Sequence, residues 1–368
     1  MKCDAFGKCG SCQLYQLPYP TQVQLKKEEL ENLLKPFNPP PVEVFTGPES
    51  YYRGRGEFRI WRMEDGRVLY GMRKRGDGRK VVPIEECHIV DRAIFDFMPL
   101  LRRELEEGNP ILKEKLYEVD FLSNSRGELI VTLIYHKKIE EELAEEVRKL
   151  RQKYPKVHFV IRKKGRKVVF DQNWLIEELE VEGEKFYYKI VENSFTQPNR
   201  SINQKMIGWA LDVTQGLSGD LVELYCGNGN FTLPLAKKRF QKVIATEINK
   251  ESIEGALYGA ELNGIKNVTF LAMGVAQFAQ LYQEKSPLLQ NYRLETILVD
   301  PPRAGLDPKT REFVDKFDNI IYISCNPSTL RRDLEQLTRT RKIVRFAFFD
   351  QFPYTPHIEA GVFLQRSQ

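Results

Sequence analysis

This 368-residue chain has no hydrophobic run approaching the ~20 apolar residues that a membrane-spanning helix needs. Its N-terminal MKCDAFGKCG has neither the basic start nor the apolar core of a secretory signal. No membrane association is expected, and the expected location is cytoplasmic, where cysteines serve as metal ligands or catalytic groups more often than as disulfides. A large charge excess is also absent: 56 Lys and Arg against 51 Asp and Glu leave +5. That balance permits an acidic partner without demanding one, so the distribution of charge has to decide. With 42% hydrophobic and 29% charged residues the chain is neither disordered nor collagenous. Its length suits two to three domains, each with its own core. A complete G-x-G-x-x-G dinucleotide motif is missing too, because Gly227-Asn228-Gly229 has no third glycine in place.

What is present is organised around Glu295–Leu330. Two apolar runs, Glu295–Val299 and Asn319–Ser324, read as strands that end in Asp300-Pro301-Pro302-Arg303 and Cys325-Asn326-Pro327-Ser328. Pro327 suits the first turn of a helix, which puts Cys325 at a strand-to-helix corner. In an open parallel sheet such corners bind ligands. Helix N-terminal amides and basic neighbours are expected to favour the thiolate, the nucleophilic form; the alternative is an ordinary buried cysteine.

Ahead of this, Cys3, Cys9 and Cys12 form C-x5-C-x2-C, with Cys87 as a possible fourth member. Four cysteines on loops suit a [4Fe–4S] cluster or Zn²⁺; the alternative is a set of ordinary reduced thiols. An amphipathic helix over Pro20–Leu34 runs into Pro36 and the Pro39-Pro40-Pro41 linker. From Val42 to about Leu179 strands with basic turns are expected, the tips being Met72–Lys80 and Arg162–Lys167. The strand Tyr52–Trp61 mixes Arg with aromatic residues. Cations that hold phosphates and planes that stack on bases suit a nucleic-acid surface, although Lys and Arg at hairpin tips also serve solubility or blunt sheet edges.

From Ile190 strands and helices alternate, predicting a doubly wound α/β sheet. The stretch Asp220–Phe231 reads as an apolar strand, a small-residue turn and a helix start, where Gly227 and Gly229 let backbone approach a ligand. About 20 residues on, a strand ends in Glu247, placed to bind ribose hydroxyls. The tail, with strands Ile343–Phe349 and Gly361–Gln365, closes the sheet as a β-hairpin, which fits an S-adenosylmethionine methyltransferase better than a dehydrogenase.

The stretches NSFTQPN, LVELYCGNGNF, ATEI, LVDPPRAGLD, YISCNPSTL and DQFPYTPHIEAGV occur in this order. With them the C-terminal half resembles the bacterial tRNA (uracil-5-)-methyltransferase family, weakly continued back through GEFRIW. The resemblance implies a Rossmann-like class I S-adenosylmethionine methyltransferase domain (186–368) behind a central α+β RNA-binding domain (42–185) and an N-terminal cysteine-cluster segment (1–41). It implies methylation of uracil C5 at T-loop position 54 of tRNA, with Cys325 as nucleophile and Glu359 as general base. Gln197, Tyr225, Asn230, Glu247 and Asp300 fall on cofactor-binding positions; Arg303, Arg59 and Tyr117 fall on positions that handle RNA or the active site. The partner implied is the tRNA T-arm, with no DNA, and the protein is expected to be a monomer. The cysteine set resembles that of the related ribosomal RNA uracil-5-methyltransferases, which hold a [4Fe–4S] cluster, but the β-barrel usual in those relatives has no room before Cys3. The third strand of the sheet ends Ala272-Met273-Gly274, without the acid often found there. Rival readings are a 23S rRNA enzyme, an amino-group methyltransferase suggested by Asp300-Pro301-Pro302, and a non-catalytic iron–sulfur RNA-binding protein.

Overall fold

The structure, a computed structural model, describes residues 1–366. Eight strands form the larger sheet, in the order Glu43–Phe45, Arg341–Phe349, Glu359–Arg366, Asn319–Ser324, Leu294–Val299, Asp220–Leu224, Val243–Glu247, Val268–Ala272. Only Glu359–Arg366 runs against its neighbours. Strand residues alternate between two cores, as a two-residue period requires. Leu221, Val243, Leu298 and Ile321 pack beneath the helix Arg200–Val213. Val222, Ile244, Ile297 and Tyr322 pack on the other face, under helices that include Val275–Gln283, Pro308–Val314 and Pro327–Leu337. Both faces are covered, which is why these strands read as unbroken apolar runs. The order, with its one reversed strand, is the class I methyltransferase sheet expected from the tail.

A second sheet of seven strands runs from Arg55 to Val169 and carries both basic hairpins. One face packs against the helices Arg92–Glu107 and Glu141–Lys153. Toward the other lies a separate hairpin, Trp174–Val181 with Glu184–Val191. Its turn residues Glu182 and Gly183 have φ of 50° and 73°, the left-handed pair that a two-residue turn needs to match strand twist. Leu122, Ile130 and Val160 of the second sheet, Leu175 and Phe186 of the hairpin, and Met206 and Trp209 of the methyltransferase unit share one apolar core. The Arg200 guanidinium adds a polar clasp, donating to Glu177 at 2.9 Å and to Asp91 at 3.1 Å.

The three-way division expected from sequence needs correcting on this point. A boundary at 185/186 falls inside the strand Glu184–Val191, and Glu43–Phe45 is an edge strand of the larger sheet, not part of the central unit. The first helix, Tyr19–Leu34, buries Leu30 and Leu34 in the methyltransferase core. Its buried face is Gln22, Lys26, Leu30 and Leu34, half of it polar, while Leu25 is exposed, so the face that packs is fixed by tertiary partners and not by an apolar stripe. Among the described residues no helix is long and apolar enough to cross a membrane.

Lys26 on that helix donates to Asp350 at 2.7 Å and to the Phe352 carbonyl at 2.9 Å; the Lys26 and Asp350 side chains are 2% and 0% exposed. Replacing Lys26 by Met strands a buried carboxylate, so urea unfolding is expected to show a loss of about 3–5 kcal/mol, partly recovered in Lys26→Met/Asp350→Leu.

Candidate active site

Parallel strands deliver their C-terminal ends to one edge, and the sequence motifs meet there. Tyr225, Asp300 and Cys325 each follow the last residue of a strand, and Glu247 ends one. Val299 pairs with both Leu224 and Tyr322, so Asp300 emerges between the glycine turn and the cysteine corner. Glu359 opens the reversed strand, and Ser324 pairs with Ala360, so one step beyond this ladder brings Cys325 beside Glu359. Cys325 is followed by Asn326, whose side chain caps the helix Pro327–Leu337 by accepting from Ser328 N.

The loop that carries Arg303 is fastened to this helix. Asn326 Nδ2 and Thr329 Oγ1 donate to the Arg303 carbonyl at 2.9 and 3.3 Å, and buried Asp333 accepts from Leu306 N at 2.9 Å and from the Tyr322 hydroxyl at 2.7 Å. Gly305 has φ of 69°, and a Cβ there would lie 2.8 Å from Asp333 Oδ2, so no larger residue fits the loop as it stands.

Electrostatically the corner is crowded. Burial pushes the Asp300 carboxyl up to about 7. Glu359 is driven well above the usual carboxylate range by burial and by Asp300, against a smaller opposing pull from Arg303. The Cys325 thiol is pushed up to about 11 by burial, then by Glu359 and Asp300, with Arg303 offsetting part. The expectation that helix amides and basic neighbours hold a thiolate is therefore not met by the protein's own groups. Desolvation and two nearby acids outweigh the single cation, and all three disfavour negative charge on sulfur.

On the other side of Asp300 lies a cradle. Gln197 Nε2 donates to Asp300 Oδ2 at 3.2 Å, and Gln351 Nε2 donates to Gln197 Oε1 at 3.1 Å. The Gln197 loop is held by the second sheet: Arg55 donates to the carbonyls of Glu192 and Ser194 at 2.8 and 2.7 Å, and Gly54 N donates to the Pro198 carbonyl at 2.9 Å. Gly227 has φ of 54°, its amide donates to Glu247 Oε2 at 3.3 Å, and a Cβ on it would meet nothing within 4 Å. Open space before a glycine turn, a carboxylate at the next strand end and the Gln197–Asp300 pair make a cradle that fits an adenosyl-methionine cofactor. Asn230 stands farther back, in a reciprocal 2.8 Å amide pair with Asn203. Tyr225, in the left-handed region at φ 61°, directs its phenol toward Thr310.

The tRNA (Uracil-5-)-methyltransferase family profile matches residues 18–367. A tRNA/tmRNA (uracil-C(5))-methyltransferase from Nautilia profundicola is 58% identical over 368 residues, covering 100% of both chains. One of the same description from Sulfurimonas denitrificans is 43% identical, covering 98% of each. The chain belongs to the tRNA (uracil-5-)-methyltransferase family. Its fold is also that of a Pyrococcus abyssi tRNA (uracil-54, C5)-methyltransferase solved with S-adenosyl-L-homocysteine, at a TM-score of 0.71, 22% identity, and coverage of 96% of this chain and 85% of that one.

Against the family pattern, the structure brings Gln197, Gly227, Glu247, Asp300, Cys325 and Glu359 to one sheet edge and leaves Arg59 and Tyr117 on the second sheet. The Arg59 guanidinium lies 5.5 Å over the Tyr117 ring, which stacks on His136 at 4.2 Å. Cys3, Cys9, Cys12 and Cys87 do gather: burial raises each thiol, and neighbouring cysteines contribute for Cys9, Cys12 and Cys87. Yet no group of three or more His, Cys, Asp or Glu among the described residues is arranged to hold a metal ion, so neither iron–sulfur nor zinc has support here. Gln351 and Arg55 escaped sequence reasoning. Both lie in stretches singled out above, DQFPYTPHIEAGV and Tyr52–Trp61, but their roles depend on partners 137 to 154 residues away, which the local pattern does not show. Exposed Ile248, directly after Glu247, was the more readable omission: a large apolar residue next to a ribose-type carboxylate.

A difference titration of thiolate absorbance, native protein minus Cys325→Ser, is expected to have its midpoint near 11. Glu359→Gln should move it down and Arg303→Gln up; a native midpoint below that of an ordinary thiol would contradict the geometry.

Proposed function

We propose that this protein methylates uracil C5 in tRNA, at the T-loop uridine that becomes 5-methyluridine, through a transient bond from Cys325 Sγ to C6 of the ring. The observation that carries the reading is the side-by-side placement of a thiol and a carboxyl where the strands of Cys325 and Glu359 part, with Asp300 and the glycine cradle next to them. The names of the two bacterial relatives support tRNA as the substrate, and the resemblance of the motifs to the family suggests position 54.

Uracil C5 is a weak nucleophile. Addition of the Cys325 thiolate at C6 moves electron density through an enolate to C5, and Arg303 is placed to offset the charge that develops on the ring oxygen. Bound at the cradle, S-adenosylmethionine supplies an electrophilic methyl group on a positively charged sulfur. A positive charge held at that place would favour the ionised forms of Asp300, Glu359 and Cys325. After C5 is methylated its remaining hydrogen is lost as a proton to the Glu359 carboxylate, and the C6–S bond breaks to return the thiolate. A carboxylate held above its ordinary pKa is the stronger base for that step. Gln197, Asp300, Glu247 and the Tyr225–Asn230 turn orient the donor, and Gln351 orients Gln197.

Uracil within a folded loop cannot reach a corner this enclosed, so the base is extruded, at a cost of about a few kcal/mol. The second sheet, with Arg59, Tyr117 and His136 as a flat platform, supplies contacts to the splayed loop.

Incubation of the native protein with radiolabelled methyl donor and separate tRNA and ribosomal RNA pools should label 5-methyluridine in tRNA alone. Cys325→Ala should lose at least 10³-fold in rate, whereas Glu359→Gln should accumulate a covalent protein–tRNA species that turns over slowly. Label in ribosomal RNA, or on an exocyclic amino group, would overturn the reading.

A further inference from the structure

The two basic hairpins, indistinguishable in sequence, have different fates in the fold. At the second, Arg162 lies 2.6 Å from Glu192, Lys167 lies 3.7 Å from the same buried carboxylate, and Arg166 donates to the Ile139 carbonyl. Two of its five cations thus share one carboxylate inside the protein, while Lys163 and Lys164 at the tip have none within ion-pair distance among the described residues, so what sets the first hairpin apart is chiefly where it lies. At the first, the hairpin Val68–Lys74 with Asp77–Ile84, the cations are Arg73, Lys74, Arg75, Arg79 and Lys80, joined by Lys8. Among the described residues, Lys80 alone of these six has a carboxylate within ion-pair distance, Asp77 at 3.5 Å, and that pair is exposed. An excess of this kind on a surface is available to an outside anion.

The hairpin is also built into the approach to the catalytic corner. Gly10 N donates to the Arg73 carbonyl and Arg75 N to the Lys8 carbonyl, both at 2.8 Å, with a bridge between Cys9 and Lys74. The N-terminal segment is thus laid along the hairpin tip as an extra strand-like edge. Gly10 and Gln13 line a cleft of about 340 Å³ that reaches Arg303 and His357. The same two residues line a hollow of about 370 Å³ with Arg73, Lys74 and Arg75. Lys74 then borders a third hollow, of about 730 Å³, with Lys8, Arg79, Lys80 and the 41%-exposed Trp61. Because each hollow shares residues with the next, they form one track leading out from the catalytic corner.

We propose that this track holds the phosphodiester backbone of the RNA strand that leaves the catalytic corner, making residues 8–13 and the first basic hairpin a second RNA-holding surface apart from the Arg59–Tyr117 platform. The proposal rests on the RNA-methylation reading above. The unpaired cations would each meet a phosphate, and Trp61 offers a plane for a base. Phosphate contacts fix register without reading sequence, so the track would set how the tRNA lies while the corner selects the uracil.

The test compares two triple variants of the full chain that remove equal charge: Lys74→Gln/Arg75→Gln/Arg79→Gln on the track, and Lys163→Gln/Lys164→Gln/Arg166→Gln on the other tip. Their tRNA dissociation constants are measured across a salt series, with thermal melting and S-adenosyl-L-homocysteine binding as checks on folding. The track variant is expected to bind tRNA at least 10-fold more weakly at moderate salt. Its log Kd against log salt should lose about two units of slope, at roughly 0.7–0.9 per phosphate contact. Its kcat at saturating tRNA should stay unchanged, and the control triple should stay within about 3-fold of the native protein. Equal weakening in both triples, or an unchanged slope in the track variant, overturns the track while leaving methylation intact. Native protein that neither binds nor methylates tRNA overturns both.

Discussion

Three acidic groups share the ends of adjacent strands with little water and one cation between them. Everything else in the catalytic edge depends on this crowding. Burial raises Asp300, Cys325 and Glu359 alike, Asp300 adds to the cost of ionising Glu359, and both acids add to that of Cys325. A positive charge held beside them would favour their ionised forms, since Arg303 is the one cation that opposes the shared cost for Cys325 and Glu359.

The surrounding architecture holds this unfavourable cluster in place. The reversed last strand sets Glu359 opposite the cysteine corner, and the buried Lys26–Asp350 pair pins the start of the loop that leads into that strand. From Gln351, next to Asp350, hydrogen bonds continue to Gln197 and on to Asp300. Arg55 in the second sheet anchors the same Gln197 loop. The second sheet is therefore more than an RNA-facing attachment, since it positions part of the cofactor cradle and shares a core with the methyltransferase unit.

Much of this was readable in the chain. Val268–Ala272 and Asn319–Ser324 were placed as strands with their observed bounds, and both basic hairpins were found, because strong apolar periodicity and turn residues are local signals. The corner motif located the site. Two features depend on distant partners: the edge strand Glu43–Phe45 and the hairpin that packs between the two sheets and blurs the domain boundary. The short helix Pro308–Val314 does carry a local start signal, an Asp307 cap followed by Pro308, that the reading of the chain passes over. The thiol differs from expectation for a related reason: its nearest sequence neighbours suggest stabilisation of the anion, while burial, the largest cause, and then Glu359 and Asp300 from other strands raise it. The cysteine spacing anticipated the gathering of four thiols, but not a geometry that would hold a metal ion.

The central claim is that one sulfur bonds to the pyrimidine while one carboxyl waits to take its proton. It is tested most directly by mass spectrometry of the protein incubated with methyl donor and tRNA carrying 5-fluorouridine. Fluorine at C5 cannot leave as a proton does, so elimination stops after methyl transfer. The account predicts a stable species with the mass of protein, RNA and one added methyl, cross-linked through the peptide that contains Cys325. Methyl transfer to natural tRNA with no such species, or a cross-link through another residue, would contradict it.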